Sequence, residues 1–151
     1  MRGAAVLAVS AALALGACAK SGADLPGDAL DQQIGRAIGD PTTCVIIADR
    51  SSHKVLYTYG QKFNCLRGMP ACDRPGYLSA QQALSLADTA DGRGASCPSN
   101  PDASRMVGWA EGRVKSSKRD LVFSAVMEGD RALPGQEMSA RLGDAFSAAG
   151  L

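Results

Sequence analysis

The side chains with most chemistry in this chain are its thiols. Five cysteines occur, at positions 18, 44, 65, 72 and 97, with one histidine, His53. A thiolate beside an imidazole is a nucleophile. Cysteines clustered with histidine make a zinc cage. An even set of cysteines in an oxidising compartment makes a disulfide framework. The spacing favours the framework. There is no C-x-x-C pair and only one histidine, so no structural zinc site is expected and no metal or cofactor is assigned. With Cys18 set aside, Cys44, Cys65, Cys72 and Cys97 remain. They allow three pairings, and sequence alone does not choose among them. The expectation carried forward is Cys44–Cys65 with Cys72–Cys97.

Two weak candidates for a catalytic nucleophile stand out. One is Cys72. The other is Ser51, because Ser51-Ser-His-Lys54 satisfies S-x-x-K. That pattern works when a helical turn brings serine and lysine onto one face. Here it falls on a polar, turn-like stretch, so the match reads as accidental and Cys72 reads as half of a disulfide. No catalytic residue is therefore assigned, and the chain leans away from enzymes. Trp109, Glu111 and Arg113 alternate along one strand face and form a candidate ligand face. The plainer expectations are a packed tryptophan and a solvated, weakly paired Glu and Arg. Glu128-Gly-Asp130 lacks the ligand count of a calcium loop, and Gly92-Arg-Gly94 is too short for a phosphate loop.

These residues need a compartment. Met1-Arg2 is a short positive start, Ala4–Leu15 is apolar but for Ser10, and Leu15-Gly-Ala-Cys18 follows. Such a run is short of the ~20 residues that span a bilayer and suits a signal peptide. The order resembles the bacterial lipobox. That resemblance implies cleavage before Cys18 and lipidation, palmitate included, on its thiol. Residues 1–17 are then a signal peptide, 18–27 a lipidated tether rich in small and polar residues, and 28–151 a single α+β domain. The expected location is the bacterial cell envelope, facing the periplasm, with the membrane as partner through the N-terminal lipid. Peptidoglycan or an envelope protein is the candidate second partner. A formal net charge of +1 gives no field that would draw nucleic acid.

The elements that must position the candidate residues follow from periodicity. Leu30, Ile34, Ala37 and Ile38 make one helical stripe, capped by Asp28 and ended by Gly39 and Pro41. Cys44–Ala48 reads as a buried central strand and Lys54–Tyr59 as its hairpin partner. Gln61–Leu78 reads as a long loop that is functional or cross-linked. Ser79-Ala-Gln-Gln82 is a capping box for a helix stopping near Asp91-Gly92. Gly92–Ser104 reads as a polar loop. Met106–Val114 and Leu121–Met127 are strands, and Gly135–Ala149 is a closing helix. The expected order is α-β-β-α-β-β-α. It describes an antiparallel sheet of about four strands with helices packed on it, the first strand beside the last, and the first and last helices together on one face. Gly108 and Gly112 in one strand mark close approach of a backbone or ligand.

Val107-Gly-Trp-Ala-Glu-Gly-Arg-Val114, then Leu121–Met127 and the final helix, resemble the closing part of penicillin-binding proteins and class D β-lactamases. The opening hairpin, Val45–Asp49 through Lys54–Tyr59, is similar to that family's first strands. Arg67-Gly-Met-Pro-Ala-Cys72 resembles the approach to its nucleophile helix. The resemblance implies a reduced version of that fold without its catalytic motifs. Cys72 stands where the serine would be and Pro75 where the lysine would be. Asp102–Arg105 replaces K-T-G, and the helical subdomain is missing. The leading expectation is thus a non-enzymatic envelope lipoprotein, a disulfide-stabilised binding or accessory module at the membrane–cell wall boundary. The alternatives are an acyl hydrolase of the penicillin-binding or β-lactamase kind using Cys72 or Ser51, and a profilin- or PAS-like sensory module.

Overall fold

A computed structural model describes residues 25–88 and 92–151; the signal segment and Cys18 lie outside the described residues. Seven strands form: β1 (Cys44–Asp49), β2 (Val55–Tyr59), β3 (Met69–Pro70), β4 (Tyr77–Leu78), β5 (Arg93–Pro98), β6 (Met106–Arg113) and β7 (Leu121–Gly129). The four α-helices are α1 (Gly27–Ile38), α2 (Lys62–Leu66), α3 (Ala80–Ala83) and α4 (Gly135–Ala148), and a 3-10 turn, Leu84–Leu86, continues α3. Five strands make one antiparallel sheet in the order β2-β1-β7-β6-β5, while β3 and β4 pair as a separate ribbon.

Strand alternation sorts the apolar side chains into two cores. On one face, Val45, Ile47, Ala110, Phe123 and Ala125 pack under Leu30, Ile34 and Ile38 of α1 and Met138, Leu142 and Phe146 of α4. On the other, Ile46, Val107, Trp109, Val122 and Val126 pack under Ala80, Ala83, Leu84 and Ala87. This explains why Val45-Ile-Ile47 carries no polar residue: β1 is covered on both sides. So is β7, whose nine residues are all buried. As expected, the first long strand lies beside the last, and α1 packs on α4.

Several expectations need correction. The sheet has five strands, not about four. The residues expected as a polar loop form β5, paired with β6 from Arg93↔Glu111 to Pro98↔Met106. An edge strand tolerates Gly94 and Pro98 because one side of its backbone needs no partner. The long loop 61–78 contains α2 and the β3–β4 ribbon. The helix after Ser79 is one α-turn and a 3-10 turn, although its capping box is present in both directions. Asp28 does not cap α1. Pro26 holds the cap position, and Asp28 sits in the first turn, where a carboxylate favours the positive helix end.

The glycines of β5 and β6 answer to the backbone rather than to a ligand. A Cβ on Gly108 would collide with Leu133 O, and one on Gly94 with the backbone of Gln136. A Cβ on Gly135 would collide with Trp109 O and Ala95 O. Three glycines on three elements thus let the start of α4 rest directly on the sheet. Gly135 N donates to Ser96 Oγ at 2.7 Å to fix it there.

Candidate functional site

Trp109, Glu111, Cys72 and Cys97 converge beneath the segment 65–78, on the face opposite α1 and α4. Two disulfides strap this segment to the sheet. Cys65 on α2 joins Cys44 at the start of β1, with Cα atoms 5.2 Å apart. Cys72, in the β3–β4 turn, joins Cys97 on β5, with Cα atoms 5.3 Å apart. The pairing is the one carried forward from the sequence. Between the two bonds Trp109 is fully buried and its Nε1 donates to Pro70 O at 2.7 Å. It is a packed tryptophan with its polar handle on the strap, not an open stacking surface.

Glu111 lies one pleat further along β6. The solvated acid expected from the sequence is 1% exposed. Its partner is Arg93, directly opposite on β5, so strand register supplies the counter-charge. Arg93 also pairs with Asp73 and donates to Ala71 O at 2.5 Å. One guanidinium therefore ties β5, β6 and the strap together. Burial raises the Asp73 carboxyl, but hydrogen bonds from Arg74 and Arg93 outweigh it and the pKa falls to about 2. The second Glu111 oxygen and the Ser124 hydroxyl, cross-strand neighbours in register, are buried without protein partners. The third residue of the expected face, Arg113, is part-exposed. It donates to Asp120 at 2.7 Å, which also receives Arg50 at 3.1 Å.

Ser51 lies on the β1–β2 turn, as expected, and no helical turn forms there. Its hydroxyl donates to Asp49 Oδ1 at 2.7 Å, and Ser52 donates to the same oxygen. These bonds lower the Asp49 pKa to about 2. His53 belongs to the same turn, beside β2. Cys72 is tied to β5 at the other edge of the sheet, four strand spacings or about 19 Å away. The Cys72 sulfur is in a disulfide and the histidine is out of its reach, so the two do not form a nucleophile–base pair.

Glu128 has a role that the sequence does not show. At the far end of β7 it accepts Arg105 at 2.8 Å, Arg67 at 3.0 Å and Ser99 at 2.7 Å. Arg105 first, with burial opposing and Ser99 and Arg67 assisting, lowers its pKa to about 2. This hub pins the loop after β5 and the end of α2.

Two concavities border the sheet, one on each face. A cleft of about 450 Å³ lies between the β5–β6 ends and α4, lined by Lys115, Gln136, Ser139, Gly143 and Phe146 among others. Arg93, Glu111 and Arg113 also border this cleft, but alternation turns their side chains to the opposite face of the sheet, where Arg93 meets Asp73. The second, of about 410 Å³ with Val55, Cys65 and Leu66 in its wall, lies between α2 and β2. Phe63, Leu66 and Tyr77 are the most exposed large apolar side chains, all on or beside the strap. Among the described residues no cluster of side chains suits a metal ion, and no helix is long and apolar enough to cross a membrane. Comparison of the chain with protein-family models, with curated proteins and with solved structures returned no significant match.

Proposed function

We propose that this chain is a non-enzymatic envelope lipoprotein: a disulfide-stabilised α+β module, held to the membrane by lipid on Cys18, that binds or supports a component at the membrane–cell wall boundary. One observation carries the proposal. All four cysteines of the domain close into two disulfides, which suits an oxidising compartment and leaves Cys18 as the one remaining cysteine. A thiol at the end of an apolar leader is the group a lipidation reaction consumes.

A binding role is favoured over acyl transfer by the state of the two nucleophile candidates. Cys72 is engaged with Cys97, and Ser51 is hydrogen-bonded to Asp49 with no lysine amine beside it on a helical face. The exposed Phe63, Leu66 and Tyr77 on and beside the strap offer apolar side chains to a partner. The resemblance to penicillin-binding proteins is kept here as a proposal about descent, with the chemistry lost.

Expression with labelled palmitate tests the anchor. The intact chain takes up label and sediments with membranes, while Cys18→Ser does neither. Label-free wild-type protein, or unchanged membrane attachment in Cys18→Ser, overturns the lipoprotein reading. A fluorescent penicillin tests the other half: the mature domain stays unlabelled. Covalent label that disappears in Ser51→Ala would return the hydrolase reading.

A further inference from the structure

We infer that Cys72–Cys97 is a thiol–disulfide exchange site, opened by a dithiol reductant, and that its opening releases the β3–β4 ribbon from the sheet and uncovers Trp109. The inference does not depend on the lipid anchor. It begins with the unequal surroundings of the two disulfides. Cys44 is 0% exposed and Cys65 3%, both inside the core beneath α3. Cys72 and Cys97 are part-exposed, one in a turn and the other on the edge strand. Exchange requires a thiolate to reach a disulfide sulfur in line, so access selects the outer bond.

The backbone points the same way. Cys72 has φ of +66°, a left-handed conformation that L-residues with a full side chain rarely adopt. The bond to Cys97 is one of the ties that hold the turn in that state. Beyond that bond the ribbon has a short set of restraints. Met69 and Ala71 are the residues of 69–78 buried in the core, while Tyr77 is 73% exposed. The remaining ties are Arg93 to Ala71 O and Asp73, and Trp109 Nε1 to Pro70 O. A segment with few buried apolar contacts opens at low free-energy cost. Its neighbours stay fixed, because Cys44–Cys65 and the Ser79 capping box anchor the chain on either side.

The step balances as a two-electron exchange. One thiolate of the dithiol attacks a sulfur of the pair, forming a mixed disulfide and expelling the other cysteine as thiolate. The second thiol of the reagent then closes its own disulfide and expels the first cysteine. The reagent is oxidised, Cys72 and Cys97 are reduced, and the reagent's two protons end on the released thiolates.

Trp109 is the single tryptophan of the chain and reports directly on the ribbon. Folded protein is titrated with dithiothreitol, and free thiols are trapped by alkylation and located by peptide mass. Peptides carrying Cys72 and Cys97 acquire label before those carrying Cys44 and Cys65. At that stage Trp109 emission shifts to the red and becomes quenchable by iodide, with the far-ultraviolet circular dichroism retained. The Cys72→Ser/Cys97→Ser double variant reproduces that spectrum without reductant; if it does not fold, the alkylated partly reduced wild type supplies the readout. Labelling of Cys44 and Cys65 first or in step, or an unchanged Trp109 spectrum once Cys72 and Cys97 are free, overturns the inference.

Discussion

Glu111 carries a carboxylate to a place that water scarcely reaches, and Arg93 across the strand is what makes this tolerable. Breaking a buried pair by removing one partner leaves the other charge stranded, at a cost of about 3–5 kcal/mol. Glu111→Gln is expected near the lower end, about 3 kcal/mol, because Arg93 keeps Asp73. Urea unfolding at neutral pH measures it through a lower midpoint at unchanged slope. Glu128 extends the same physics to pH. Its folded pKa of about 2 lies below the ordinary carboxylate value of 4.5. The contribution is therefore complete above the unfolded pKa and is lost as pH falls from about 4.5 to about 2. At neutral pH it amounts to roughly 3 kcal/mol at most. Acid unfolding of Glu128→Gln should show a shallower decline over that window than wild type. Both acids were visible in the sequence, but not their roles. Glu111 was matched with Arg113 on its own strand because the true partner sits on a strand that was not recognised. A cross-strand pair becomes legible only once register is known.

At the scale of elements, periodicity and buried β-branched runs were enough to find α1, β1, β2, β6, β7 and α4, because each has a face whose burial the residue types record. β5 has no such record. Arg-Gly-Ala-Ser-Cys-Pro is small and polar, and it is a strand because β6 offers it hydrogen bonds, because Cys97 is bonded to the strap, and because its glycine admits α4. The cap on α3 was legible, being local chemistry. Ser79→Ala removes the oxygen that accepts Gln82 N at 3.2 Å and should cost about 1 kcal/mol, read as a lower thermal midpoint. The glycine contact with α4 was half legible: close approach was expected, but not of what. Gly108→Val drives a branched side chain into Leu133 O and the Met138 sulfur. Overpacking of this kind typically costs 1–3 kcal/mol, and a backbone neighbour has little room to yield. Calorimetry should show a loss of about 3 kcal/mol, whereas Gly143→Ala, whose added carbon meets nothing within 4 Å, should be neutral or slightly stabilising.

For the whole molecule, the α+β class and the neighbouring first and last strands were readable because a continuous apolar strand needs cover on both faces and an inner place in the sheet. The strap was readable only as a long loop with two cysteines in it. The expected thiol titre of the purified Cys18→Ser protein in denaturant is zero without reductant, since the other four cysteines are paired. Any free thiol would mean that one of the two straps is absent in solution.

The placement of β1 between β2 and β7 also has a consequence in time. A ribosome delivers β1 and its hairpin early, but the strand that covers its other edge, Leu121–Gly129, and the helix that closes the core, Gly135–Ala148, come much later in the chain. Until they emerge, one edge of β1 is bare and α1 lacks its partner α4. The sheet therefore cannot close until β7 is free to pair with β1 and β6. A sheet whose inner strands lie this far apart in sequence must close a long loop before its core can form, which slows folding.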